Sequence, residues 1–213
     1  MTFSSCLNKE DSQIALDSSV VINLLATGEA IAILEAVALP TIVADSVVRE
    51  IGRGNVTGRP ELVQLDALIA SDLMRVVRPE GRALELFVGL VSGSTVESLG
   101  DGEAATIALA HETKSLAAID EKKATRIVTS RFTGIRVATT IDLLAHSAVE
   151  SGLGRERLAD ATLQALRVAR MQVREHQFDW IVDLIGPENV PNCPSLNRLA
   201  GHRLRASRRK IAV

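Results

Sequence analysis

Gln13-Ile14-Ala15-Leu16-Asp17 is an apolar run that stops at a carboxylate, and Ser115-Leu116-Ala117-Ala118-Ile119-Asp120 repeats the arrangement further along. Each run has the length and composition of a buried strand, and a helical pattern follows each. Working outward, residues 40–44, 73–77 and 135–138 read as three more strands. Helices fill the intervals: two up to about Ala38, one from Asp45 or Ser46 through Glu50, and one from Pro60 or Glu61 to about Ala70. Others lie within 79–98 and over Asp101–Thr113, 121–132 and 141–150. In the second of these helices Ile31, Leu34, Val37 and Ala38 are expected to share one apolar face. Residues 52–60, with three glycines and a proline, read as a loop. Alternating strand and helix predicts an α/β chain, with helices on a central parallel sheet and right-handed crossovers. No internal repeat and no Walker-type glycine loop interrupts the pattern.

The carboxyl ends of the strands of such a sheet form the crevice where ligands bind. Asp17 and Asp120 stand at two of those ends, and Glu50 and Glu103 on helices between them can face the same crevice. Four converging carboxylates repel by roughly 4 kcal/mol per pair at about 4 Å and an effective dielectric of ~20. A hard divalent cation such as Mg²⁺ or Mn²⁺ removes that cost and prefers oxygen ligands. Each residue also has a plainer role. Asp17 and Asp120 suit helix N-caps, although Ser18 or Ser19 could take the first of these positions. Asp101 suits the cap of its helix, Glu121 suits a first-turn acid, and Glu50 in Arg49-Glu50-Ile51 suits a solvated charge. Carboxylate-held metal fits phosphodiester hydrolysis, because it activates water and stabilises charge on the phosphate and leaving oxygen. No Ser-His-Asp or Cys-His set competes with it.

Four segments resemble the motifs of PIN-domain ribonucleases in order and spacing. They are Leu-Asp-Ser-Ser-Val-Val-Ile-Asn-Leu-Leu from Leu16, Ser-Val-Val-Arg-Glu-Ile from Ser46, Leu-Gly-Asp-Gly-Glu-Ala-Ala-Thr-Ile-Ala-Leu-Ala from Leu99 and Ala-Ala-Ile-Asp-Glu-Lys-Lys-Ala-Thr-Arg-Ile-Val from Ala117. The resemblance covers roughly residues 12 to 150 and extends weakly to about 185. The third segment is most similar to the bacterial and archaeal branch related to toxin ribonucleases. The resemblance implies a three-layer α/β/α sandwich and a Mg²⁺- or Mn²⁺-dependent endoribonuclease, the toxin of a toxin–antitoxin pair, with a cognate antitoxin as partner. Asp17, Glu50, Glu103 and Asp120 take the metal-ligand positions, and Ser19 takes a supporting hydrogen-bonding position. Glu103 stands where many members carry Asp. A housekeeping RNA-processing nuclease would show the same site, and a PIN-like binding module that has lost catalysis is the alternative from another class.

Composition sets the remaining expectations. Hydrophobic residues at 46% and charged residues at 23% of 213 suit a globular chain with a sizeable core. No apolar run reaches membrane-spanning length and the N-terminus has no secretory pattern. Cys6 and Cys193 at opposite ends offer no disulfide framework, so a cytoplasmic location is expected. Residues 1–154 read as the nuclease-like domain. Residues 155–186 read as a helical extension packed on it or on a second copy, with one long helix over 155–176. Residues 187–213 read as a flexible basic tail. Of 24 basic residues six follow Glu188, after which no acidic residue stands, leaving 18 basic against 26 acidic in residues 1–188. An acidic body with a basic end fits a nucleic-acid or acidic partner. With four Phe, one Trp and no Tyr, base stacking cannot dominate RNA recognition. Arg126 and Arg131, with Lys122 and Lys123, are candidate contacts to the RNA backbone, or an ordinary solvated helix face.

Overall fold

Five strands form one all-parallel sheet: β1 (Ile14–Leu16), β2 (Thr41–Ala44), β3 (Arg75–Val77), β4 (Leu116–Ala118) and β5 (Val137–Ala138), in the order β3-β2-β1-β4-β5. The computed structural model describes residues 3–53, 60–93 and 98–211. Leu16 pairs with Val43 on one side and Ala118 on the other, so β1 is the central strand. β1, β2 and β4 are wholly buried, as apolar runs covered on both faces must be. The chain runs outward through β2 and β3, then returns to the other side of β1 for β4 and β5. This reversal places the topological switch point between the carboxyl ends of β1 and β4, the strands that lead into Asp17 and Asp120.

The helices up to the end of the sheet are α1 (Ser18–Ala26), α2 (Ala30–Val37), α3 (Asp45–Arg53), α4 (Pro60–Ala70), α5 (Gly81–Val91), α6 (Asp101–Thr113), α7 (Lys122–Arg131) and α8 (Thr140–Leu144). They build the expected α/β/α sandwich. Residues 54–59 of the expected loop and 94–97 after α5 lie outside the described residues. α6 positions the site. Its residues 104–110 are all buried, so it is a core helix without a polar stripe, and its alanines let it approach β1 and β2 closely. Thr106 Oγ1 donates to the Leu16 carbonyl at 3.3 Å, which sets the first turn of α6 over the end of β1.

Several sequence expectations are corrected. The buried face of α2 is Ala30, Ile33, Leu34 and Val37, while Ile31 is exposed. The helix expected over 141–150 is two: α8 ends at Leu144, and α9 (Ser147–Leu153) restarts after His146. The long helix expected over 155–176 stops early as α10 (Arg155–Arg167). Met171 and Val173 are buried on either side of exposed Gln172, a period-2 alternation that draws the chain into the core as extended backbone. α11 (Phe178–Ile185) follows, and α10 packs against α1, α9 and α11. The end expected to be a flexible tail instead forms α12 (Pro194–Ile211), since a proline that ends one helix suits the first position of the next. Arg203 bridges Glu175 and Asp179 and stacks over Phe178, docking α12 beside α11. The side chains of Arg208, Arg209 and Lys210 lie outside the described residues. Among the described residues no single helix is long and apolar enough to cross a membrane.

Candidate active site

Asp17 begins α1 at the carboxyl end of the central strand, 3% exposed, its N–H bonded to Ala118 O at 3.1 Å. It is itself the N-cap: Oδ2 accepts from Ser19 N at 3.3 Å and from Ser19 Oγ at 2.7 Å. Neither Ser18 nor Ser19 takes that position, contrary to the sequence preference, and Ser19 supports Asp17 directly. Oδ1 is buried and has no hydrogen-bond partner. Burial pushes the carboxyl above its ordinary range, the Glu50 charge adds to this, and the donors from Ser19 and Ser18 oppose it.

Glu50, exposed on α3, reaches the same place by accepting from Ser18 Oγ at 2.6 Å. Gly102 lies against both. A Cβ there would sit 2.5 Å from Ser18 Oγ, 2.6 Å from Glu50 Oε2 and 3.4 Å from Asp17 Oδ1. Only glycine lets the N-terminal turn of α6 come this close. That turn, at the positive end of a 13-residue helix, partly offsets the clustered negative charge. Glu103, next in sequence, is half-buried, and its Oε2 accepts from Gly100 N at 3.1 Å, the returning arm of a capping box. Gly100, not Asp101, is the N-cap. Burial raises the Glu103 carboxyl above its usual range, with Asp17 and Glu121 adding and Lys123 opposing.

Asp120 is 4% exposed and differently held. Its Oδ1 accepts from Thr140 N at 2.9 Å, and its Oδ2 accepts from Asn23 Nδ2 at 2.6 Å and Thr140 Oγ1 at 2.5 Å. It is not a helix cap, because Glu121 caps α7 by accepting from Lys123 N. Burial raises its pKa, and the Thr140, Asn23 and Arg174 side chains oppose the rise. The structure thus gathers Asp17, Glu50 and Ser18 at Gly102, sets Glu103 beside them, and ties Asp120 to Asn23 and Thr140. Among the described residues no three His, Cys, Asp or Glu side chains are close enough to hold an ion as they stand. The donor chemistry nevertheless fits a hard divalent cation: the four carboxylates offer only oxygen ligands, and Asp17 Oδ1 is a buried carboxylate oxygen free to coordinate.

Asn23, Gly102, Thr140 and Arg174 were not singled out from the sequence, and Ser18 only as a possible cap. Asn23 carried a signal, as a lone amide inside the apolar helix Val20-Val21-Ile22-Asn23-Leu24-Leu25. Thr140 and Arg174 carried none, since they reach Asp120 only through the tertiary fold. Arg174 Nη2 donates to Thr125 Oγ1 at 2.8 Å and to Ile119 O at 3.3 Å, beside Asp120. Arg126 and Arg131 are exposed on α7, Arg131 lying over the Phe132 ring. A cleft of about 270 Å³ runs past Ser19 and Asp120, and another of about 270 Å³ is lined by Glu50, Asp101 and Arg53.

No curated protein matches the chain. The family model of the PIN domain matches residues 13–186, from the strand that carries Asp17 through α6, Asp120 and the whole of α10 and α11. With that match over most of its length, added to the parallel sheet and its switch-point carboxylates, the chain belongs to the PIN-domain family.

Proposed function

We propose that this chain is an endoribonuclease that hydrolyses RNA phosphodiester bonds with Mg²⁺ or Mn²⁺, and that it is the toxin of a cytoplasmic toxin–antitoxin pair. PIN domains are generally hydrolytic nucleases that bind divalent metals. The observation that carries the reading is Asp17 Oδ1, a buried carboxylate oxygen with no partner at the switch point of the sheet. A charge left so is costly unless a cation meets it. Asp17, Glu50, Glu103 and Asp120 would hold the ion, with Ser19 fixing Asp17. When bound, such an ion supplies countercharge and Lewis acidity for phosphodiester hydrolysis. The chain's own contribution is placement: Asn23 and Thr140 orient Asp120, Ser18 draws Glu50 inward, and Gly102 admits the α6 N-terminus. Arg126 and Arg131 are proposed contacts to the RNA backbone, and self-association is proposed as well.

The test is cleavage of total cellular RNA by the full chain with and without Mn²⁺, beside Asp17→Ala. Metal-dependent cleavage lost in the variant is expected. Cleavage that persists in Asp17→Ala, or that needs no metal, rejects the site. A second reading, an RNA-binding module without turnover, is favoured by Asp120, whose two oxygens are both engaged by neutral donors. RNA binding without cleavage in either metal would select it. The toxin role rests on the resemblance of residues 99–110. A small DNA-binding protein encoded beside the gene that binds the chain and blocks cleavage is expected. Its absence from an active enzyme would point to RNA processing.

A further inference from the structure

We propose that Arg170, in the segment between α10 and α11, is the substrate-phosphate contact of the active-site cleft. The inference rests on the endoribonuclease reading and adds to it a residue outside the four motifs. Two stretches wall the Asp120 cleft, the first made of Ser19, Ile22, Asn23, Asp120 and Glu121 and the second of residues 169–172. The first wall carries two carboxylates. On the second, Ala169, Met171 and Gln172 are uncharged, so Arg170 is its single charge. An RNA phosphate entering between these walls meets repulsion from one of them, and among the described residues that line this cleft Arg170 is the one cation that can offset it. A guanidinium suits that task, since its planar fork of donors matches phosphate oxygens.

The segment presents Arg170 on a fixed backbone. Met171 N donates to Ala165 O at 3.1 Å, and Ser195 Oγ in α12 donates to Met171 O at 2.8 Å. Met171 and Val173 are buried to either side of the exposed part. Arg170 itself turns the chain with φ of 55°, a conformation glycine adopts at no steric cost. Arg170 is exposed, whereas nearby Arg174 is occupied by Ile119 O and Thr125. The region beyond residue 154 therefore supplies part of the substrate site, besides packing on α1 and α9.

The positive φ makes a clean test, because Arg170→Gly removes the side chain and keeps the turn. Binding of a single-stranded RNA oligonucleotide would be titrated at several KCl concentrations, using the full chain with Asp17→Asn to block cleavage. Arg170→Gly is expected to weaken binding roughly tenfold, as for loss of a charged hydrogen bond. It should also make the slope of log K against log salt shallower by about 0.7, the share of one phosphate on a single strand. Arg170→Lys should retain the slope, and Arg82→Ala, in a different cleft, should leave binding unchanged. A Tm for Arg170→Gly at or above that of the parent would show the loss is not misfolding. Equal affinity and slope in Arg170→Gly and its parent overturn the proposal. So does an equal loss in Arg82→Ala, which would mean only net charge counts. An active wild-type enzyme with that outcome leaves the nuclease reading standing. Arg170-dependent binding by a chain that never cleaves supports Arg170 and sinks the nuclease reading. A parent that binds no RNA overturns the Arg170 contact, and the nuclease reading with it if the wild type does not cleave.

Discussion

Replacing Asp17 with Asn tests the site through the repulsion it stores without metal. Asp17 Oδ1 lies 3.4 Å and Glu50 Oε2 lies 2.6 Å from the point a Gly102 Cβ would occupy. The two oxygens are therefore at most about 6 Å apart, where unit charges repel by about 0.7 kcal/mol in water and about 3 kcal/mol at an effective dielectric of ~20. Glu50 is exposed, so screening keeps the true value near the lower end. An Asn at 17 can keep its oxygen on Ser19 and present an uncharged NH₂ on the Glu50 side, which removes the repulsion. The metal-free variant is thus expected to be about 1 kcal/mol more stable, or about 2–4 °C in Tm for a chain of this size. The sign with pH follows from burial, which raises the folded-state pKa of Asp17 above its unfolded value. Stability from such a group is fully present below the unfolded pKa of about 3.9 and is lost as pH rises through the folded pKa. The Asn advantage should accordingly be absent at about pH 4 and grow toward neutrality. Metal reverses the comparison: at a hundred times Kd it stabilises the wild type by about 2.7 kcal/mol, roughly 5–10 °C, and leaves the variant unmoved. The assay is a set of thermal melts of both proteins across pH, with chelator or Mn²⁺. An equal response to Mn²⁺ in the two proteins would refute the reasoning and reduce Asp17 to a helix cap.

Three further outcomes are expected. Gly102→Ala should leave stability within about 1 kcal/mol of wild type, because better helix propensity offsets the crowding of Ser18 and Glu50. Its cleavage rate should nonetheless fall about a hundredfold as those groups are displaced, and an unchanged rate in a single-turnover assay would count against the Gly102 contact. Asn23→Ala removes a 2.6 Å donor from buried Asp120 and should cost about 1–3 kcal/mol in urea unfolding at neutral pH; a loss under about 0.5 kcal/mol would mean that Thr140 alone suffices. Truncation after Gly154 uncovers α1 and α9 and removes Gln177, whose Nε2 bonds Thr139 Oγ1 at 2.9 Å, so a fragment that aggregates on size-exclusion chromatography is expected. A monodisperse, active fragment of residues 1–154 would show instead that the C-terminal helices are dispensable.

Local signals carried the alternation of the chain. The apolar runs at Ile14–Leu16 and Leu116–Ala118 read as buried strands and are, and the bounds of Asp101–Thr113 were legible because glycine and acidic residues mark its start, although Gly100 rather than Asp101 caps it. Where two local signals competed, the sequence erred. The Arg-rich run after Gly154 looked continuously helical, yet burial of Met171 and Val173 required extended backbone; the prolines near 190 looked like the start of a tail, yet Pro194 begins a helix. The site divides in the same way. The sequence by itself determined which carboxylates stand at strand ends, because a charge closing an apolar run is visible without coordinates. Only the tertiary structure decided what each carboxylate meets: Ser18 against Glu50, Asn23 and Thr140 around Asp120, Gly102 against Asp17, and the segment 169–172 in the lining of the Asp120 cleft. Those partners lie tens of residues apart in the chain, and local preference contains no information about such pairs. Packing α6 onto the end of β1 brings the first group together, and folding the segment after α10 back toward Asp120 brings the last.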